Sequence, residues 1–247
     1  MSLKNKVIVL TGASSGMGAA TTKLAVSKGA KLVIGARNQE KLQQVAKSTE
    51  HPENIVTQVT DVQNLDDVKS LVKLAQDKFG QVDIIYNNAG IMPQDMLIDS
   101  DPKSWKAMLD TNVIGVLNGI KAVLPIMRKQ KHGLIMATDS VAGHVLYPGS
   151  AVYNGTKFAV RAIMEGLRQE EHANNIKTGI ISPGGVKTNL TSTIGNQQII
   201  SAIKKMWNGK NAVLLPEDIA RSAVFMMDQP SNVDINEILV RPTGQEV

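Results

Sequence analysis

Residues 7–18 read Val7-Ile8-Val9-Leu10-Thr11-Gly12-Ala13-Ser14-Ser15-Gly16-Met17-Gly18, and this stretch decides the fold. Four aliphatic residues in a row suit a strand buried on both faces, as in a parallel sheet. The glycines then turn the chain directly into a helical pattern. A pyrophosphate at such a turn would face free backbone N–H groups and the positive end of a helix dipole. Gly12 permits the tight turn, Gly16 lets the backbone approach phosphate oxygens, and Gly18 allows helix and strand to pack closely. An ordinary glycine-rich turn is the plain alternative. Its place after the first strand of an alternating chain favours dinucleotide binding.

The rest of the chain repeats the same rhythm. Strands are predicted at Val7–Leu10, Lys31–Gly35, Ile55–Val59, Val82–Tyr86, Gly133–Ala137, Ile176–Ile181 and Glu237–Val240. Helices are predicted near Gly16–Lys28, Gln39–Lys47, Leu65–Phe79, Asp101–Lys129, Val152–Asn174 and Pro216–Asp228. This alternation implies one α/β domain over residues 1–247, a Rossmann-type doubly wound parallel sheet of about seven strands with helices on both faces. Ligands then bind beyond the carboxyl ends of the strands. The stretch Val186–Val213 is polar, holds Gly195 and Gly209, and has weak periodicity. Loops of that length are commonly functional, so a substrate lid is expected there.

Composition narrows the chemistry. The 247 residues are 43% hydrophobic but only 3% aromatic, so the core is aliphatic with methionine. The net charge of +5 is scattered, with no basic run longer than Arg128-Lys129-Gln130-Lys131, which argues against a nucleic-acid footprint. The absence of cysteine excludes disulfides, thiolate metal sites and cysteine nucleophiles. The four histidines (His51, His132, His144, His172) have no metal-ligand spacing, and no metal is expected. The polar start Met1–Lys6 runs straight into a strand and no apolar run reaches membrane-spanning length, so a cytoplasmic protein without membrane association is the expectation.

Two further signals specify the reaction. At the end of the second predicted strand an acid would accept from the ribose 2′-hydroxyl of NAD, whereas arginine accommodates a 2′-phosphate. The chain has Ala36-Arg37-Asn38 there, with no carboxylate before Glu40. Arg37 can fork onto a phosphate, so NADP is expected over NAD. Next, Tyr153 and Lys157 stand four residues apart at the start of a long helix, on one face. A phenol titrating near pH 10 is a poor acid–base group at neutral pH, and a neighbouring ammonium lowers that value. A solvated Tyr/Lys pair is the bland alternative. Ser140 falls just past the strand Gly133–Ala137, where its hydroxyl could hold a substrate oxygen for Tyr153 to protonate.

Taken together, these residues resemble the short-chain dehydrogenase/reductase family over nearly the whole chain. Its glycine loop corresponds to Thr11–Gly18, its adenine-side acid to Asp61-Val62, and the motif after the fourth strand to Asn87-Asn88-Ala89-Gly90. The mid-helix asparagine corresponds to Asn112, the catalytic set to Ser140, Tyr153 and Lys157, and the strand-six motif to Pro183-Gly184 with Thr188. The resemblance implies that Tyr153 is the general acid/base and that Ser140 orients the substrate oxygen. It implies that Lys157 binds the nicotinamide ribose and depresses the Tyr153 pKa, while Asn112 holds a water in a proton relay. Gly12, Ser14, Ser15, Gly16, Met17 and Gly18 would cradle the cofactor, Asp61 would contact adenine, and Asn88-Ala89-Gly90 would line the site. Val186 and Thr188 would hold the carboxamide. Asp139 stands where relatives usually carry a small or hydroxyl residue, and Ser14 and Ser15 stand where many NADP-preferring relatives are basic.

Taken residue by residue, other readings exist. Asp61 could cap the helix at Leu65, Asn87 and Asn88 could form a turn, and Asn112 could simply interrupt a helix. The substrate pocket is expected at Ser140–Leu146, Met92–Met96 and the lid, with Ile91, Met92, Val141, Val145 and Leu146 making it partly apolar. His144 is either a polar contact there or a surface residue. Apolar residues spread over more than one stripe of Asp101–Lys129 and Val152–Asn174, which points to burial against a partner subunit or deep inside one monomer. The family resemblance implies a homotetramer, or a homodimer. The expected activity is interconversion of a carbonyl and an alcohol on a small molecule. The alternative is a non-catalytic NADP(H)-binding or sensing protein on the same fold.

Overall fold

A computed structural model describes residues 2–246, apart from the side chain of Met206. Its elements are β1 (Val7–Thr11), α1 (Gly16–Ser27), β2 (Lys31–Ala36), α2 (Gln39–Lys47), β3 (Ile55–Val59), α3 (Leu65–Phe79), β4 (Ile84–Asn87), α4 (Pro102–Leu109), α5 (Gly115–Gln130), β5 (Gly133–Thr138), α6 (Ala151–Glu171), β6 (Ile176–Pro183), α7 (Gln197–Trp207), α8 (Pro216–Met227) and β7 (Glu237–Val240). All seven strands pair in parallel in the order β3-β2-β1-β4-β5-β6-β7. The expected doubly wound sheet is present.

Strand alternation divides the core in two. Ile8 and Leu10 of β1 point to one face and pack with Val26 of α1 and Ile219 and Val224 of α8. Val7 and Val9 point to the other and pack with Leu71 of α3, Val123 of α5 and Val160 of α6. Val9 aligns with Val33 on one side and Ile85 on the other, so β1 lies central and dry. The strand order reverses between β1 and β4, which opens a crevice at their carboxyl ends.

Two expectations about the helices need correction. The predicted helix Asp101–Lys129 is interrupted by a π-helical turn at Asp110–Ile114, which carries Asn112 and separates α4 from α5. Such turns are rare and occur often at functional sites. The run Pro102–Gln130 is long and apolar enough to cross a membrane by length and composition, and half of its apolar 18-residue window is buried in this fold. The second correction concerns Val186–Val213, which is not a plain loop. It holds a short 3₁₀ turn, Asn189–Thr193, and the amphipathic helix α7, capped by Asn196 accepting from the N–H groups of Gln198 and Ile199.

Candidate active site

The crevice is a cavity of about 750 Å³ running across the carboxyl ends of the strands. At one end lies the glycine loop. Gly12 has φ +67°, in the left-handed region, and a Cβ there would meet the Ala89 backbone at 2.8 Å. Gly18 lies behind the loop, where a Cβ would sit 2.3 Å from the Gly12 carbonyl oxygen and 2.6 Å from Asn88 Nδ2. That is the close helix–strand packing expected of this glycine. Ser15 is the N-cap of α1 but makes no side-chain cap hydrogen bond, and the first turn carries no acid. The N-terminal N–H groups of α1 therefore have no side-chain acceptor and face the cavity, a cradle suited to a phosphate. Arg37, Asn38 and Lys41 line the same end, just beyond β2. These residues together suit a dinucleotide carrying an extra phosphate.

The wall between β1 and β4 is braced by side chains. Asn88 donates through Nδ2 to the carbonyl oxygens of Thr11 and Gly12, each at 3.2 Å, and its Oδ1 accepts from Thr138 at 3.0 Å. Asn87 donates to the Met136 carbonyl. Neither is a mere turn former. Nor is Asp61 a helix cap: Asn64 caps α3, while Asp61 accepts from the Gln63 N–H at 3.0 Å and lines the cavity with Val62.

The reaction end is built from β5 and α6. Ser140 follows β5 in extended conformation (φ −170°), and its Oγ accepts from the Ala142 N–H at 3.1 Å. Asn154 anchors this turn, donating to Ala142 and Val145 carbonyls at 2.7 and 2.6 Å. Tyr153 is buried and its hydroxyl is hydrogen-bonded to Ser140. Lys157, one turn further along α6, is also buried and donates to the Thr138 carbonyl at 2.8 Å, with Nζ 5.7 Å from the Tyr153 ring centroid. A solvated surface pair is thereby excluded.

The electrostatics differ from the sequence expectation. Burial raises the Tyr153 phenol above its ordinary range; the bond to Ser140 opposes this and the charge of Asp139 adds to it. Burial also lowers the pKa of Lys157, with Asp139 opposing. Asp139 is buried directly before Ser140, and desolvation pushes its carboxyl up to about 6, against the charge of Lys157 and hydrogen bonds from Ser140 and Ser182.

Of the residues singled out from sequence, Gly12, Ser14, Ser15, Gly16, Met17, Arg37, Asp61, Val62, Asn88, Ala89, Gly90, Ser140, Tyr153, Lys157, Pro183, Gly184, Val186 and Thr188 all line this cavity. Gly18 and Asn112 lie behind the wall. The Asn112 side chain is committed: Oδ1 accepts from the Ile91 N–H at 2.9 Å, and Nδ2 donates to the Ile91 carbonyl and to Thr156. Thr188 starts the 3₁₀ turn, with its Oγ1 accepting from Leu190 N–H and its methyl against Gly16.

Ile91, Met92 and Val141 reach the pocket as expected, whereas Val145 and the exposed Leu146 do not line it. His144 takes neither expected part. It is half-buried outside the cavity, its Nε2 2.6 Å from Glu237 Oε1 and its Nδ1 accepting from Arg161. Gln94 lines the pocket within the expected Met92–Met96, whereas sequence reading missed Lys41, Asn154 and the cavity face of α7, where Ile199, Ile203 and Trp207 reach the pocket. Lys41, four residues past Arg37 on a new helix, was findable by spacing. The segment after β6 is tied across the mouth by Thr193 accepting from Met92 N–H at 3.1 Å and Asn196 donating to Asp95 at 2.8 Å.

Comparison with known proteins agrees with this geometry. The family model described as short chain dehydrogenase matches residues 6–199. An uncharacterised oxidoreductase of Staphylococcus saprophyticus is 46% identical over 247 residues, covering 99% of each chain. One from Listeria monocytogenes is 44% identical over 248 residues, again covering 99% of each. Among solved structures, a serine dehydrogenase complexed with NADP+ has a TM-score of 0.90 at 29% identity, covering 98% of this chain and 96% of that one. A 3-ketoacyl-(acyl-carrier-protein) reductase from Brucella melitensis complexed with NADH has a TM-score of 0.87 at 28% identity, covering 98% and 99%. A sheet, a glycine cradle and a Ser–Tyr–Lys set in one crevice thus coincide with an extensive sequence match, and the chain belongs to the short chain dehydrogenase family of oxidoreductases.

Proposed function

We propose that the protein is an NADP(H)-dependent oxidoreductase interconverting a carbonyl and a secondary alcohol on a small, partly apolar substrate, with Tyr153 as general acid/base. The observation that carries this reading is the Tyr153 hydroxyl, buried and bonded to Ser140, in the same cavity as the glycine loop. Gly12, Ser15, Gly16 and Met17 would hold the pyrophosphate, Arg37 and Lys41 a 2′-phosphate, Asp61 and Val62 the adenine, and Val186 and Thr188 the carboxamide. When bound, the nicotinamide supplies or accepts the hydride.

The chain's own residues do the rest. Ser140 holds the substrate oxygen and Tyr153 gives it a proton in reduction, or takes one in oxidation. Lys157 fixes the ribose, and its charge favours phenolate once a cationic ring also lies nearby. Both donors and one acceptor position of the Asn112 amide are taken, so a relay water at this position would be held by its main chain in the π turn or by the second lone pair of Oδ1. The substrate half of the cavity is lined by Ile91, Met92, Val141, Ala142, Leu190 and Ile203 with Gln94, Tyr147 and Ser150, and burial pushes the nearby Asp139 carboxyl towards its neutral form, which favours an uncharged substrate. A cytoplasmic homotetramer is proposed from the family and from the apolar residues left exposed on α4, α5 and α6.

The test is kcat/KM for a panel of neutral ketones and secondary alcohols with each cofactor. Turnover with NADPH preferred over NADH is expected. Equal values, or a preference for NADH, would refute the cofactor assignment, and binding of NADPH without any turnover would favour a sensing role.

A further inference from the structure

Behind the catalytic residues lies a polar cluster that the mechanism above does not use. Asp139 at the end of β5, Ser182 on β6, Glu237 on β7, His144 in the turn after Ser140 and Arg161 on α6 meet there. Ser182 Oγ lies 3.2 Å from Asp139 Oδ2 and 2.7 Å from Glu237 Oε1, in hydrogen-bonding geometry with both. A hydroxyl has one proton, so it donates to one carboxylate, and the other contact needs a proton from the second acid.

The remaining partners show which acid brings it. Glu237 is well supplied with donors: Arg161 reaches Oε2 at 3.3 Å, and His144 Nε2 lies 2.6 Å from Oε1, off the axis of a straight hydrogen bond. Arg161 also donates to His144 Nδ1 at 3.1 Å. A guanidinium only donates, so Nδ1 accepts and Nε2 carries the ring proton towards Glu237. Asp139 is 2% exposed; besides Ser182 its carboxyl is met by the neutral Ser140 N–H, and its Oδ1 has no partner in good hydrogen-bond geometry. Glu237 is therefore the ionised acceptor of the Ser182 proton, and the Asp139 contact is made by a carboxyl proton. Gly143 makes room for this, since a Cβ there would fall 2.5 Å from Asp139 Oδ2. Asp139, His144 and Glu237 also have the mutual spacing of metal ligands. Arg161 already supplies the cation, however, and the His144 lone pair is taken.

We propose that Asp139 is a positioning residue: the proton it shares with Glu237 through Ser182 sets the charge felt by Lys157 and Tyr153. The groups facing it are Lys157 and Tyr153 from α6, His144 from the turn, and Glu237 across Ser182, with Arg161 behind them. While Asp139 holds its proton, Tyr153 sees only the lysine. Loss of that proton places a negative charge beside both and makes phenolate harder to form. Burial favours the protonated carboxyl well above the ordinary carboxylate range, so the change falls in mildly acidic solution. The catalytic part of this proposal rests on Tyr153 being the acid/base.

The experiment has two arms, both on the full chain. Infrared titration of wild type is expected to show a protonated-carboxyl band that persists to near pH 6 and is missing in Asp139→Asn. In Glu237→Gln, Ser182 is free to donate to Asp139, so the band should vanish at lower pH than in wild type. Absence of the band above pH 5 in wild type, or its persistence in Asp139→Asn, overturns the shared proton, and an unmoved titration in Glu237→Gln does so if Asp139→Asn does not fold.

The second arm is the pH profile of alcohol oxidation. Asp139→Asn is expected to move its ascending limb to lower pH, by on the order of one unit, because phenolate loses a neighbouring negative charge. An unmoved or upward-shifted limb overturns the influence on Tyr153. Failure of the Tyr153 assignment itself would show separately, as normal turnover by Tyr153→Phe, and would leave the infrared result standing.

Discussion

A phenol and an ammonium one helical turn apart are ordinary on a solvated surface, and only burial makes them chemical. Tyr153 and Lys157 are both buried, and the main-chain oxygen of Thr138 holds the ammonium in place. Their spacing was legible from sequence; the electrostatic balance was not, because desolvation depends on what the fold stacks above α6. Lys157→Met should weaken NADPH binding and shift the pH profile of oxidation upward, since the phenolate loses its cation. Fluorescence titration and the activity–pH profile check both effects, and an unchanged profile would leave Lys157 a structural residue. Arg37 could be found from chemistry at a strand end, and its neighbour Ala36 gives a second test. Ala36→Asp should move kcat/KM towards NADH, because a carboxylate accepts from a ribose hydroxyl but repels a phosphate. An unshifted ratio would show that the 2′ group lies elsewhere. Asn112 was found as a residue but not as a partner. Nothing in the sequence says that its amide is spent on the Ile91 backbone.

At the scale of elements, strands and most helices followed from apolar patterning, since β1, β4 and β5 are buried on both faces and admit no polar interruption. The glycine loop was legible because its geometry is intolerant of side chains. Gly18→Ala would place a methyl 2.3 Å from the Gly12 carbonyl oxygen, and the fixed β1 and α1 leave little room to yield. Overpacking of this kind typically costs about 1–3 kcal/mol, so denaturant unfolding should show a loss of that size together with weaker cofactor binding. A stability equal to wild type would mean the loop relaxes freely. The element that sequence reading missed is α7. Gly195, Gly209 and the polar residues around them masked a helix whose apolar face is satisfied by the cavity and not by the core. Its ties to Met92 and Asp95 are few, as a moving cover requires. Limited proteolysis should show residues 186–213 protected by saturating NADPH and substrate, and unchanged cleavage would count against a lid.

At the scale of the whole molecule, the crevice at the β1/β4 reversal brings the two sequence signals together, although 134 residues lie between Gly18 and Tyr153 in no pattern that links them. The topology does this, as parallel pairing brings every strand's carboxyl end to one edge. The outer surface carries a second message. Leu109, Ile114, Leu117 and Phe158 remain exposed on α4, the π turn, α5 and α6, apolar residues that a lone monomer would leave wet. Sedimentation should show an assembly that Leu117→Lys with Phe158→Glu dissociates, whereas a monomeric wild type would contradict that role for these helices. The account as a whole stands on Tyr153. Replacement by Phe keeps the ring's packing and removes the hydroxyl, and general acid–base catalysis is worth on the order of a hundred- to ten-thousand-fold. The direct measurement is single-turnover oxidation of bound NADPH by wild type and Tyr153→Phe on a ketone that wild type reduces. The expected result is a loss of that size with nearly unchanged cofactor affinity. A Tyr153→Phe protein that oxidises NADPH at the wild-type rate would contradict it.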